Sequence, residues 1–277
     1  MGKCVCCLGS INIDVTFRLD RLPDQHEKLS AREAMIGGGG SASNTAVWLS
    51  RQGLSVRMLG WVGDDLLGAF ALRDLQANGV DTRGVSLLSV ASPVAVCLAT
   101  PGDKRIITSP VIDAPWTPYD VAGFSEDADW LHTTVCDPAF LLQIQSLSRT
   151  PERVLSLELG GCYDPAFPRL VNYLFTNHDE LERTLGTSDV INYVARRHEA
   201  DPAVWFITRR EEGATVICGG QVGTVPGIPV EPIDRTGGGD AFNAGVIAAL
   251  SSGADPKSAA VSGLQLAAEA IRRLGAR

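Results

Sequence analysis

Lysine is scarce in this 277-residue sequence: Lys3, Lys28, Lys104 and Lys257 stand against twenty arginines. None of the four lies in a G-x-x-x-x-G-K-[ST] loop, and no His-Arg-Asp triplet occurs. That excludes the lysine-based phosphate sites of P-loop nucleotidases and protein kinases. Histidine is equally rare. His26, His132, His178 and His198 form no H-E-x-x-H pair and no zinc-spaced set with cysteine, and they read as ordinary surface or core residues. No apolar run approaches 18 residues, so no membrane span is expected. Residues 1–8 run straight into Gly9 without the apolar core and cleavage site of a signal peptide. Asp and Glu outnumber Lys and Arg by 32 to 24, for a net charge of −8. This balance argues against a general nucleic-acid binder, whose affinity rests on many cationic contacts to phosphate. The seven cysteines, at 4, 6, 7, 97, 136, 162 and 218, are odd in number and widely spaced, unlike a disulfide framework. Cys4, Cys6 and Cys7 fall in an apolar run, where small buried thiols are common, and the usage suits a reducing cytoplasm.

What the sequence does have is apolar content. With 45% hydrophobic and 20% charged residues it can bury a sizeable core, and wholesale disorder is excluded. Short apolar segments at 5–8, 56–62, 94–100, 130–134, 154–157, 173–176, 204–208 and 214–218 predict strands. Helical patterns at 45–52, 66–78, 139–148, 179–185 and 190–197 lie between several of them. That alternation predicts an α/β fold with βα units around a mostly parallel sheet. Two longer helical patterns, 240–250 and 256–274, close the chain. Residues 15–36 and 91–109 are more polar, with β-prone pieces and Gly102-Asp103 as a turn signal, and predict a small accessory sheet. No Pro- or Ser-rich linker and no internal repeat divides the sequence, so 1–277 is expected to form one domain with this β appendage.

Glycine concentrates in two places where a helix begins: Gly37-Gly38-Gly39-Gly40-Ser41-Ala42-Ser43-Asn44, and Asp234-Arg235-Thr236-Gly237-Gly238-Gly239-Asp240. Such runs let the backbone approach a ligand closely, and a helix N-terminus offers free N–H groups and a positive dipole end to anions such as phosphate. A mobile turn is the plainer alternative for each. The second is harder to read that way, because Asp240 opens a helix that is apolar on every side and therefore buried. The dipole is expected to keep its carboxylate ionised, which suits a base on a substrate hydroxyl. Gly37-x-Gly39-x-x-Ala42 superficially matches the dinucleotide fingerprint, but no βαβ start precedes it.

Together the two segments resemble the paired signatures of the PfkB (ribokinase-like) carbohydrate kinases. Gly39-Gly40, Asn44, Gly53 and Gly63 keep the spacing of the first, and Asp234-Arg235-Thr236-Gly237-Gly238-Gly239-Asp240-Ala241-Phe242 is similar to the second. Gly9-Ser10-Ile11-Asn12-Ile13-Asp14, Gly63-Asp64-Asp65-x-x-Gly68 and Asn177-His178-Asp179-Glu180 follow the family's order. The resemblance implies a ribokinase-like three-layer α/β sandwich with a mostly parallel central sheet and a small β lid over about 15–36 and 91–109. It implies an ATP-dependent kinase acting on a hydroxymethyl group of a small sugar. Asp240 would be the general base and the Gly237, Gly238, Gly239 and Asp240 N–H groups the anion hole. Asn12 and Asp14 would bind substrate hydroxyls, with Gly39, Gly40 and Asn44 closing round the sugar. Asn177 and Glu180 would position Mg²⁺ and the ATP phosphates through waters, and Thr208, Arg210 and Gly213 would belong to the nucleotide loop. In monovalent-cation-activated members K⁺ binds at the positions of Asp234 and Thr236. A homodimer through paired lids is expected, and neither nucleic acid nor membrane is.

The sequence departs from the family pattern in places. Arg210 stands where glycine is usual; its guanidinium is expected to clamp phosphate, the alternative being that its bulk shifts the nucleotide. Arg235 replaces a usual Thr or Ser. The strand-end acid appears as Glu158-Leu159-Gly160-Gly161 without a downstream arginine, which argues against a phosphorylated sugar. More sequence is expected beyond Gly275-Ala276. Two alternatives stay open: a nucleoside kinase, with Trp116 or Phe17 as a wall for the base, and a catalytically silent sugar- or nucleotide-binding paralogue.

Overall fold

Val5-Cys6-Cys7-Leu8 is apolar at every position, the pattern of a strand covered on both faces. In the computed structural model, which describes residues 3–101, 103–110, 115–148 and 152–277, Val5 and Cys7 pack into one core and Cys6 and Leu8 into another. The elements in chain order are β1 (Cys4–Leu8), β2 (Asn12–Arg18), β3 (Glu33–Gly39), α1 (Ser41–Arg51), β4 (Ser55–Gly63), α2 (Leu66–Ala77), β5 (Asp81–Leu88), β6 (Val94–Thr100), β7 (Asp103–Thr108), α3 (Pro118–Phe124), β8 (Trp130–Thr133) and α4 (Pro138–Leu147). They continue with β9 (Val154–Glu158), α5 (Phe167–Leu170), β10 (Tyr173–Asn177), α6 (His178–Leu185), α7 (Val190–Arg197), β11 (Val204–Thr208), β12 (Ala214–Cys218), β13 (Gln221–Val225), α8 (Gly238–Ser251) and α9 (Pro256–Ala270). Among the described residues no helix is long and apolar enough to cross a membrane.

The large sheet runs β13-β12-β11-β10-β9-β8-β1-β4-β5. It is parallel from β11 to β5, and β12 and β13 add an antiparallel hairpin. Residues of α1, α2, α8 and α9 fill one core and those of α3 to α7 the other, which makes the expected three-layer α/β arrangement. The chain leaves β1 towards β4 and β5 and later resumes at β8 on the other side. The crevice beyond the carboxyl ends of β1 and β8 is thus a topological switch point, where open α/β sheets bind ligands.

The smaller sheet, β3-β2-β6-β7, is mixed, with β2 and β6 parallel. It contains most of 91–109 but only the two ends of 15–36, because residues 19–32 form a connection without strand, and it reaches further than expected, since β2 begins at Asn12 and β3 ends at Gly39. Gly102 of the turn signal lies outside the described residues. Gly37, Gly38 and Gly39 are therefore strand residues, paired with Asp14, Ile13 and Asn12, and not a mobile turn. Their lack of side chains is used by the neighbours: a Cβ on Gly38 would lie 1.6 Å from the Arg277 guanidinium, and one on Gly39 2.0 Å from the Asp14 carboxylate.

Other boundaries moved for identifiable reasons. Helix α1 starts at Ser41 and not 45, because Gly40 at φ +94° turns the chain and the Asn44 N–H already bonds the Gly40 carbonyl. Helix α9 stops at Ala270, short of 274, where the Ile271 carbonyl accepts from the Ile233 and Asp234 N–H groups. The Gly63-Asp64-Asp65-x-x-Gly68 motif is a structural pin. The Asp65 carboxylate caps α2 at Gly68 and holds the Ser92 N–H and hydroxyl, and a Cβ on Gly68 would meet the Gly63 carbonyl at 2.0 Å. All seven cysteines are free thiols. His132 and His198 are buried, as ordinary core histidines are.

Candidate active site

Helix α8 enters the core through Ala241–Ile247, so its first turn is fixed at the rim of the switch point. Its N-cap is Gly237 in the left-handed region at φ +75°, with no side-chain cap. The first-turn N–H groups of a helix lack intrahelical partners; here the Gly238 N–H makes a long bond of 3.4 Å to the Arg235 carbonyl, and the space beside Gly239 is open, since a Cβ there would have nothing within 4 Å. A glycine-lined cradle of donors of this kind fits a phosphoryl group.

Asp240 stands in the same turn. Its Oδ1 accepts from the Ser41 hydroxyl at 2.6 Å and its Oδ2 from Asn44 Nδ2 at 2.8 Å. Both donors belong to the first turn of α1, which packs against α8. The dipole was expected to keep Asp240 ionised, but burial dominates and pushes its pKa up, opposed by the Ser41 and Asn44 hydrogen bonds and the charges of Lys104 and Arg277. The carboxyl is thereby moved towards the working range of a general base. Asn44 is 3% exposed, and with Nδ2 committed to Asp240 its Oδ1 is buried with no partner. A buried carbonyl oxygen in that state costs free energy until a donor arrives, and a substrate hydroxyl is such a donor.

Asp14, on β2, pairs with Gly37 and lays its carboxylate against Gly39. Burial and the nearby Asp240 and Asp234 carboxylates raise its pKa to about 6, against the pull of Arg277 and Lys104. Asn12 pairs with Gly39 at the start of the same strand. Glu158 ends β9 and accepts from the buried Asn243 Nδ2 of α8 at 2.6 Å. Burial first, with Asp240 and Glu180 adding, lifts Glu158 from 4.5 to about 8. Asp14, Asp240, Glu158 and Glu180 therefore share one electrostatic basin.

The elevated Glu158 value carries a stability signature. Between about 4.5 and 8 the folded state holds a proton that the unfolded chain has released, so stability falls as pH rises through that window. Melting temperature should drop from pH 6 to 8, above the range where Asp14 contributes, and Glu158→Gln should flatten that drop. An unchanged slope in the variant would assign it elsewhere.

The second group of expected residues lies beside this basin. Asn177 and Thr208 are register partners on β10 and β11. Asn177 Oδ1 caps α6 by accepting the Glu180 N–H at 2.8 Å. Arg210 adopts φ +50°, the conformation that explains why glycine is usual there, and its guanidinium pairs with Asp179 at 2.5 Å. Gly213, at φ +99°, is held by packing, since a Cβ would lie 2.1 Å from the Val225 carbonyl. Arg235 pairs with Glu211, tying the loop before α8 to the 3₁₀ turn Arg210–Glu212.

Asp234 is buried and its carboxylate already receives three donors: the Thr236 N–H and hydroxyl on Oδ1 and the Gly275 N–H on Oδ2. The Thr236 hydroxyl in turn lies 3.3 Å from the Lys104 ammonium. Three of the roughly four acceptor sites of the Asp234 carboxylate are thus taken by donors of the fold itself.

Ser41, Asn243, Lys104 and Arg277 escaped the sequence reading as neighbours of the site, whereas Glu158 was read from it as the strand-end acid. Phe17 is not a wall of the cleft. It pairs with Leu98 on the face of the small sheet opposite to Asp14, and lines a groove with Leu19 and Pro23. Trp116 packs into the core on the α3–α7 side and donates to the Gly60 carbonyl.

The sequence pattern of the family described as "pfkB family carbohydrate kinase" matches residues 3–277. The ribokinase of Bacillus subtilis is 28% identical over 272 residues, covering 92% of this chain and 88% of that protein. The ATP-dependent ribose-1-phosphate kinase of Halopiger xanaduensis is 30% identical over 252 residues, covering 88% and 83%. The fold is similar to that of Arabidopsis thaliana ribokinase complexed with ribose and ATP, with a TM-score of 0.81 at 20% identity over 99% of this chain and 94% of that one.

Proposed function

The chain belongs to the pfkB family of carbohydrate kinases, and from that premise we propose that it transfers the γ-phosphoryl group of ATP to a hydroxymethyl group of a small sugar. The observation that carries this reading is Asp240: a partly buried carboxylate, its pKa raised, in the same helical turn as the Gly237–Gly239 anion cradle. Asp240 takes the proton of the attacking hydroxyl while its other contacts, to Ser41 and Asn44, hold the carboxylate in place. The N–H groups of Gly238, Gly239 and Asp240 receive the charge of the transferred phosphoryl, where such stabilisation is the largest catalytic term.

On the acceptor side, Asn12, Asp14, Glu158 and the unpartnered Asn44 Oδ1 present hydrogen-bond acceptors suited to a neutral polyhydroxylated ring. The close approach of Gly39 and Gly40 shapes the floor. On the donor side, Asn177, Glu180, Thr208, Arg210 and Gly213 are assigned to the nucleotide. Glu180 would hold Mg²⁺ through waters, which suits an ion reluctant to dehydrate, and the Asp240 and Glu180 charges that add to burial in raising Glu158 suit a divalent cation there. That ion supplies charge neutralisation of the phosphates when bound.

The small sheet serves as a lid that excludes water from the transfer. Its inner face carries Asp14, Cys97 and Lys104, while Ile36 and Ile107 on the outer face are 62% and 64% exposed. Pairing of two such faces would bury them in a homodimer. Light scattering at micromolar concentration should give twice the chain mass, and a monomer would refute the pairing.

ADP release measured over pentoses, hexoses, keto-deoxy acids and nucleosides tests the activity. Turnover is expected on an unphosphorylated pentose or hexose. ATP binding without turnover on any of them would instead identify a silent paralogue.

A further inference from the structure

The basin described above is crowded with carboxylates, yet the reaction brings a polyanionic triphosphate into it. Partial charges on N–H groups offset only part of that. Two full cations act on Asp240, namely Lys104 and Arg277. Arg277 is buried and committed, donating to Asp74 at 2.6 Å and to the Ser43 hydroxyl at 2.9 Å. Lys104 also has partners, but it differs in exposure. It sits on β7, opposite Ala99, exposed at the edge of the small sheet, and its ammonium reaches across to the Thr236 hydroxyl at 3.3 Å. Thr236 is the residue before Gly237, so a lysine of the small sheet already touches the threshold of the anion cradle. The Cys97 thiol meets the same hydroxyl at 4.0 Å, which shows that β6 and β7 both lean on this loop. Nothing in the local motifs around Lys104 marks it as functional.

Resting on the kinase reading, we propose that Lys104 is a catalytic residue, whose ammonium contacts the γ-phosphoryl oxygens as they pass over Gly237–Asp240. Its long stem lets the ammonium turn from the Thr236 hydroxyl to a phosphate oxygen without moving the backbone. Because Asp14 and Lys104 belong to one sheet, the cation arrives with the same element that contacts the sugar. The phosphoryl group is thus fully clamped only when the acceptor is covered.

Lys104→Met keeps the stem and removes the charge, and Lys104→Arg keeps the charge. Isothermal titration with the non-hydrolysable analogue AMP-PNP and with ADP, each with a saturating acceptor sugar from the panel above, reads the γ-phosphate contact directly. In Lys104→Met, AMP-PNP affinity should fall about tenfold and ADP affinity should stay within about twofold, with Lys104→Arg close to wild type. With the acceptor found in the panel above, kcat should fall about 10²-fold and the sugar KM should change less than about threefold. Equal loss of both nucleotides, or loss of neither, overturns the role of Lys104 and leaves the kinase reading standing. A wild-type protein that binds neither nucleotide overturns both.

Discussion

Asp240→Asn is expected to lower kcat by about three orders of magnitude while sugar binding stays within a few-fold of wild type. The size follows from the geometry. An amide at this position keeps both existing partners: its oxygen accepts from Asn44 Nδ2, as Oδ2 does at 2.8 Å, and its NH₂ turns to the Ser41 oxygen, which accepts where it now donates. The side chain therefore stays in place, the α8 N-terminus is undisturbed, and only the ability to take a proton is lost. Rapid-quench turnover and equilibrium sugar binding, measured on the same preparation, separate the two effects. Turnover within tenfold of wild type would remove Asp240 as the base. A parallel loss of sugar affinity would recast it as a binding group.

How much of this was legible beforehand depends on the range of the interaction that decides each feature. The two-faced apolar pattern of Val5–Leu8 and the helix opening at Asp240 are local, and both elements and the base were readable from a few neighbouring residues. The Gly37–Gly39 strand was not, because glycine has no intrinsic β preference. Pairing with Asn12, Ile13 and Asp14 imposes it, and the run reads in isolation as a turn. The edge strand β5, with Asp81 and Gly84 inside it, escaped notice for the same reason. The site partners follow the same rule. Asn243 reaches Glu158 across 85 positions, Lys104 reaches Thr236 across 132, and Arg277 reaches Asp74 across 203. No periodicity or motif connects such pairs. The environment of Asp240 was misjudged likewise. The dipole argument uses only its own helix, whereas the burial that raises its pKa comes from the elements packed around it.

Gly239→Ala should yield a protein as stable as wild type, or slightly more so, with kcat lowered by about 10²-fold or more. Gly239 lies within α8 at a position where a Cβ would meet nothing within 4 Å. The methyl group strains no contact, and alanine is the better helix former, by less in this first turn than the roughly 0.8–1.0 kcal/mol of a helix interior. The space it fills is the one assigned to the phosphoryl group, so the penalty falls on transfer alone. Its neighbour supplies the control. Gly237 holds φ +75°, and a Cβ there would lie 2.2 Å from the Ala276 carbonyl oxygen. Gly237→Ala then adds about 1–2 kcal/mol of left-handed strain to a clash with backbone, and its melting temperature should fall by about 3 °C or more. Melting curves and kcat for both variants decide the matter together. A stable but inactive Gly239→Ala beside a destabilised Gly237→Ala places the phosphoryl group over Gly239. A Gly239→Ala enzyme with wild-type turnover would mean that the open space above α8 is not where phosphate is transferred, and the anion cradle would have to be sought elsewhere along the crevice.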